Sequence, residues 1–90
     1  MMLSVLYRKQ FKKNLELMIL RGKYPEKIKI VIDLLINRQP LAPNQKDHPL
    51  AGNFVGFRNC HIEPNWLMIY RIVGDTLFLE RTGTHSDLFK

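Results

Sequence analysis

Apolar residues recur along this chain with two different periods, and the change from one to the other divides it. A short apolar run over residues 3–7 has the length of a single strand. From Arg8 onward the spacing is helical: Phe11, Leu15 and Met18 fall on one face at i, i+4 and i+7, while Lys9, Lys12 and Lys13 point roughly the opposite way. Gly22 supplies a stop, and Pro25 suits the first turn of a second helix. In that second helix Ile28, Val31, Ile32, Leu35 and Ile36 are joined by Ile30 and Leu34, so its apolar arc is wide and it is predicted to be the more buried of the pair. Pro40 and Pro43 are expected to end it and to open a structured surface loop over residues 39–53, which holds the cluster Lys46, Asp47 and His48.

Beyond Gly52 the period shortens to that of strands, predicted over residues 54–58, 59–63, 66–72 and 76–82, with turns at Pro64-Asn65 and Gly74-Asp75. Trp66, Met68, Tyr70 and Ile72 alternate with Leu67 and Ile69, so this segment is apolar on both faces and belongs in the middle of a sheet. The expected architecture is α+β: an N-terminal strand and two helices packed on one face of a mainly antiparallel sheet of four to five strands. With 90 residues the chain makes one domain, 1–90, and one core.

Composition narrows the function classes. Hydrophobic residues make up 46% of the chain, enough to build an interior without metal or disulfide staples. Cys60 is the single cysteine, so no internal disulfide forms and nothing points to an oxidising compartment. Arg8 comes too early for a signal-peptide core to precede it, and no apolar stretch approaches the ~18 residues of a membrane span, so a cytoplasmic protein without a membrane partner is expected. The net charge of +6 is unevenly spread: residues 1–46 carry ten basic against three acidic side chains, and residues 47–90 carry four against five. All three histidines, His48, His61 and His85, lie in the second half. A basic field beside titratable imidazoles suits a polyanionic substrate, although lysines that merely solvate two amphipathic helices would look the same by charge alone.

The placement of the histidines carries more than their number. His48 lies in the proline-bracketed loop, His61 just before the Pro64-Asn65 turn, and His85 past the last strand after Gly83. A sheet that brings neighbouring strand ends together would gather all three at one edge, with Arg81 on the strand leading to His85. Imidazole, with an unperturbed pKa of ~6.5, both gives and accepts protons near neutrality. The spacing lacks H-x-x-x-H and C-x-x-C elements, so neither a metal nor another cofactor is expected. Cys60 and His61 are strand neighbours and point to opposite faces, which disfavours a Cys–His nucleophile. No P-loop, dinucleotide glycine motif or serine elbow is present.

Three segments together are more specific. Lys46-Asp47-His48-Pro49-Leu50, Phe57-Arg58-Asn59-Cys60-His61-Ile62-Glu63-Pro64-Asn65-Trp66 and Glu80-Arg81-Thr82-Gly83-Thr84-His85-Ser86-Asp87-Leu88-Phe89 resemble, in order and spacing, the signature blocks of YafQ-type toxins of the RelE/ParE superfamily. The likeness is close over residues 40–90, and the N-terminal strand and helices agree in layout only. It implies a RelE-like fold, a ribonuclease that cleaves mRNA on the ribosome, ribosomal RNA contacts through the basic helices, and a cognate antitoxin that covers the site. Matched by position, His48, His61, Trp66, Arg81, His85 and Phe89 fall on the family's active-site set, whereas Asn65 stands where close relatives usually carry aspartate. An amide has no useful basicity, so Asn65 can orient RNA or an imidazole but cannot accept the 2'-hydroxyl proton.

The roles the resemblance implies are His85 as general acid, His61 or His48 as general base, and Arg81 as the cation facing the crowded phosphate. Asn65, Trp66 and Phe89 are expected to shape or stack on the substrate, with a core-packing role equally open for the two aromatics, and Lys9, Lys12 and Lys13 to meet phosphates. Glu63 and Asp47 are the two carboxylates that could stand in for the missing aspartate. Two competing functions remain at this level: a catalytically weak RNA- or ribosome-binding module, and a ParE-like gyrase-directed inhibitor, against which the histidine set argues.

Overall fold

The structure, a computed structural model, describes residues 2–89. Its elements follow in the order β1 (Ser4–Tyr7), α1 (Lys9–Leu20), α2 (Pro25–Ile36), β2 (His48–Pro49), β3 (Arg58–Glu63), β4 (Trp66–Val73), β5 (Thr76–Gly83) and α3 (His85–Leu88). One five-stranded sheet has the order β1-β5-β4-β3-β2, in which β1 runs parallel to β5 and every other pairing is antiparallel. The α+β layout, the two helices and the central place of β4 agree with the pattern of the chain.

Four local features differ from it, each for a backbone reason. The second helix ends at Ile36, before the prolines: Arg38 adopts a left-handed conformation (φ 55°), and the Gln39 N–H donates to the Leu34 carbonyl, closing the last turn. Of residues 54–58, only Arg58 is in a strand. Gly52 and Gly56 take positive φ of 65° and 92°, and the chain between them coils through the 3-10 turn Gly52–Phe54, so pairing starts only at Arg58. The loop expected over 39–53 holds the two-residue strand β2, paired to β3 through His48↔Asn59 and Pro49↔Arg58. Past the last strand lies α3, opened by Thr84, whose hydroxyl accepts from the Asp87 N–H.

Alternation along β4 sorts the interior into two layers. Trp66, Met68 and Tyr70 join Cys60, Leu77 and Leu79 beneath Phe11, Met18, Ile28, Val31, Ile32 and Leu35 of the two helices. Leu67 and Ile69 project the other way, under Leu88 with Leu50, Phe54, Phe57 and Phe89 packed around them. All five residues from Trp66 to Tyr70 are at most 1% exposed, and each such side chain contributes about 1.5–3 kcal/mol by burial. His61 pairs with Leu67 and Asn59 with Ile69, so both face away from the helices. The helices thus leave one sheet face to loops and α3, and the chemistry-bearing residues of β3 lie on it.

Candidate active site

His48, His61 and His85 line one open cavity of about 250 Å³, together with Leu50, Asn59 and Phe89. Each histidine arrives from a different element. His48 is placed by β2, His61 by β3, and His85 is the first residue of α3. The His61 and His85 ring centroids are 6.4 Å apart, and the Phe89 ring lies 5.5 Å from His85. Convergence at one rim, expected from strand ends, is what the fold shows for these three.

His85 is held through its backbone. Its N–H donates to Asn65 Oδ1 at 3.1 Å, which ties the β3–β4 turn to the start of α3. The carboxylate of Asp87 accepts from the Thr84 N–H at 2.9 Å and from Arg21 at 2.7 Å, an arrangement that holds it well below the usual carboxylate range, chiefly through Arg21. A Cβ at Gly83 would come within 2.9 Å of the Asp87 Cβ, so this turn depends on glycine for close approach. Asn65 therefore positions the start of α3 through an acceptor oxygen, a role that needs no basicity.

The other two imidazoles are prepared differently. His48 Nδ1 lies 2.7 Å from the Lys46 carbonyl; a carbonyl only accepts, so the proton of that contact sits on Nδ1 and Nε2 is left to face a substrate. Burial lowers the His61 pKa below its ordinary value, opposed by a backbone contact at Pro64 and helped by the nearby Lys46, His85 and His48 side chains. The neutral form of His61 is accordingly favoured. Behind His48 the carboxylate of Asp47 accepts from the Tyr70 hydroxyl at 2.6 Å and from Arg58 Nε at 3.2 Å, on the helix side of the sheet where Tyr70 is buried. Asp47 thus anchors the strand that presents His48. Glu63 is equally committed, bonded to Lys23 at 2.6 Å and Lys27 at 2.8 Å. Neither carboxylate lines the histidine cavity.

Several expected site residues lie elsewhere. Arg81 lines an adjoining hollow with Asn14, Leu17, Met18, Thr82 and Asp87, and its Nε donates to Asn14 Oδ1 at 2.7 Å. In the sheet it stands in one row with Ile69, Asn59 and His48, three strand spacings or ~14 Å from the last of these along the backbone. Trp66 corrects the stacking expectation: it is 0% exposed, faces the helices, and donates its indole N–H to Thr82 Oγ1 at 2.9 Å, so it offers a substrate no surface. Phe89 is half-buried and does line the histidine cavity. Lys9, Lys12 and Lys13 are exposed on α1 and lie outside that cavity. Cys60 is fully buried and its thiol is pushed up to about 12 by desolvation, so it cannot serve as a thiolate.

Asn59 was missed by the sequence reasoning. It is 3% exposed, lines the cavity, and its Oδ1 has no hydrogen-bond partner among the described residues. The available signal was its position two residues before His61 on one strand, which puts both on the same face. Among the described residues no group of three His, Cys, Asp or Glu side chains gathers closely enough to hold a metal ion, and no helix is long and apolar enough to cross a membrane.

Both the sequence and the fold are similar to those of known toxins. The chain is 44% identical over 84 residues to the mRNA interferase toxin YafQ of Escherichia coli K12, covering 92% of this chain and 91% of that one. Its fold superposes on YafQ in the E. coli DinJ-YafQ toxin-antitoxin complex with a TM-score of 0.91 and 41% identity, over 100% of both chains. A copper-bound mutant toxin from Helicobacter pylori gives a TM-score of 0.93 at 38% identity, covering 98% of this chain and 100% of that one. The model of the family described as the bacterial toxin of type II toxin-antitoxin system, YafQ, matches residues 3–90, and this chain belongs to that family.

Proposed function

We propose that the protein is an endoribonuclease that cleaves mRNA engaged on the ribosome, and that a cognate antitoxin holds it in check. The observation that carries this reading is the meeting of three imidazoles at one open cavity on the sheet face the helices leave free. The relatives named mRNA interferase toxin YafQ, and the complex of one of them with DinJ, support the substrate and the partner.

The chemistry needs no group beyond those present. His61, whose neutral form burial favours, takes the proton of the ribose 2'-hydroxyl; the freed oxygen attacks the adjacent phosphorus; the bond to the 5'-oxygen breaks, and His85 gives that oxygen its proton. The products are a 2',3'-cyclic phosphate and a 5'-hydroxyl end, and the proton taken by His61 balances the one lost by His85. The two rings, 6.4 Å apart by centroid, are close enough to reach oxygens of one phosphodiester, as the acid and base of this reading must. His48, with Nε2 free, is the alternative base. Arg81 supplies positive charge from the adjoining hollow, and Lys9, Lys12 and Lys13 meet phosphates of ribosomal RNA away from the cut.

Two measurements test this. Added to a cell-free translation reaction, the protein is expected to create new mRNA 5' ends in register with codons, and no such ends in mRNA held free of ribosomes; an unchanged pattern of ends in both would remove the endonuclease reading. The second is pH dependence. A general base works in its neutral form, whose fraction rises as pH passes its pKa, and the His61 pKa is lowered. The acid limb of the kcat/KM profile should therefore fall below the ordinary histidine value of ~6.5 and vanish in His61→Ala. A limb at or above ~6.5 that persists in that variant assigns the base to another group.

A further inference from the structure

The site face carries more than the histidine cavity. Successive ring contacts lead away from His85: Phe89 at 5.5 Å, then Phe54 at 5.8 Å from Phe89, then Phe57 at 6.3 Å from Phe54. The line continues through Arg71, whose guanidinium lies 5.1 Å from the Phe57 ring centroid and 5.3 Å from that of Phe78. Arg71 is four residues along β4 from Leu67 on the same face, ~14 Å from the row that holds His61.

Charge distinguishes Arg71 from its neighbour on the same ring. Arg8 also stacks on Phe78, at 5.3 Å, but its charge is met by Glu80. For Arg71 no carboxylate partner occurs among the described residues, and its buried Nε has no hydrogen-bond partner. Two aromatic faces fix the plane of the guanidinium and leave its donors unspent. A partly buried cation so held is unfavourable unless an anion completes it.

We propose that this stripe is a track for single-stranded RNA leading into the histidine cavity, with Arg71 as a phosphate subsite for nucleotides flanking the cut. The inference rests on the reading of the protein as a ribonuclease. Aromatic rings that stack on any base, interleaved with a guanidinium that meets the backbone, are what a sequence-tolerant single-strand surface requires. The track is continuous with the cavity through Phe89, and the phosphodiester is the anion the unpaired Arg71 lacks.

The test is binding of a fluorescent single-stranded RNA by the full chain, with the 2'-hydroxyls methylated to prevent cleavage, read by anisotropy across a salt series. Arg71→Gln should weaken binding about tenfold at low salt and lower the salt slope by about 1, whereas Arg71→Lys should keep the slope. Equal affinity and slope in parent and Arg71→Gln, with both shown folded by circular dichroism, overturn the subsite. So does a loss of thermal stability in Arg71→Gln with no loss of RNA affinity, which would make the stripe packing alone. An oligoglutamate peptide is the control, and a loss of affinity confined to it would mark a polypeptide-binding surface and also overturn the proposal. A parent protein that binds no RNA at low salt sinks the track even where ribosomal cleavage succeeds, while absence of codon-registered ends sinks the ribonuclease reading, so the two failures are distinguishable.

Discussion

Replacing His85 with alanine is expected to cut the cleavage rate ~10² to 10⁴-fold while leaving association with RNA or ribosomes close to that of the parent. The separation follows from how the residue is held. The bond to Asn65 comes from the His85 backbone N–H, and the turn is closed by Thr84, Asp87 and Arg21, so α3 keeps its start when the imidazole is gone. What disappears is the proton donor for the leaving 5'-oxygen. A single-turnover cleavage assay beside a binding isotherm checks both halves, and cleavage by His85→Ala at the parental rate would remove His85 from the chemistry. A parallel loss of binding would instead mean that the imidazole acts as a contact.

Trp66→Ala should cost about 3–5 kcal/mol of folding stability, the range for an aromatic removed from a closed core. Trp66 is 0% exposed among Phe11, Met18, Ile28 and their neighbours, and its N–H satisfies Thr82 Oγ1, which in turn donates to the Leu67 carbonyl at 2.7 Å. Trp66→Phe keeps most of the volume and should cost about 1 kcal/mol through the lost hydrogen bond. Urea unfolding followed by far-ultraviolet circular dichroism reads both. A Trp66→Ala protein with the parental midpoint and weakened RNA binding would return the indole to the substrate surface. The expected result carries a wider point: a residue that coincides with a family's active-site set can act through the scaffold alone.

Helix and strand periods were legible because they report a one-dimensional property, the alternation of apolar and polar residues. Phe11, Leu15 and Met18 announced α1, the doubly apolar run from Trp66 announced the central strand, and the +6 charge pointed to a polyanion. The histidines were legible as chemistry, and the three segments around them as a family. Less visible were β2 and α3, each too short to show a period, and the coil over residues 54–57, where two glycines overrule an apolar pattern.

Which face each side chain takes was decided in three dimensions. Trp66 and Leu67 are neighbours in sequence, yet one lies under the helices and the other under α3. Arg81 and His85 are four residues apart, yet the turn after Gly83 sends His85 to the cavity and leaves Arg81 beside Asn14. The chain by itself determined the kinds of elements, the chemistry available and the kinship; the tertiary structure alone decided the company each group keeps. The reason is that strand register and turn geometry depend on contacts between residues far apart in the chain, such as His48 with Asn59 and His85 with Asn65, and no local pattern records them.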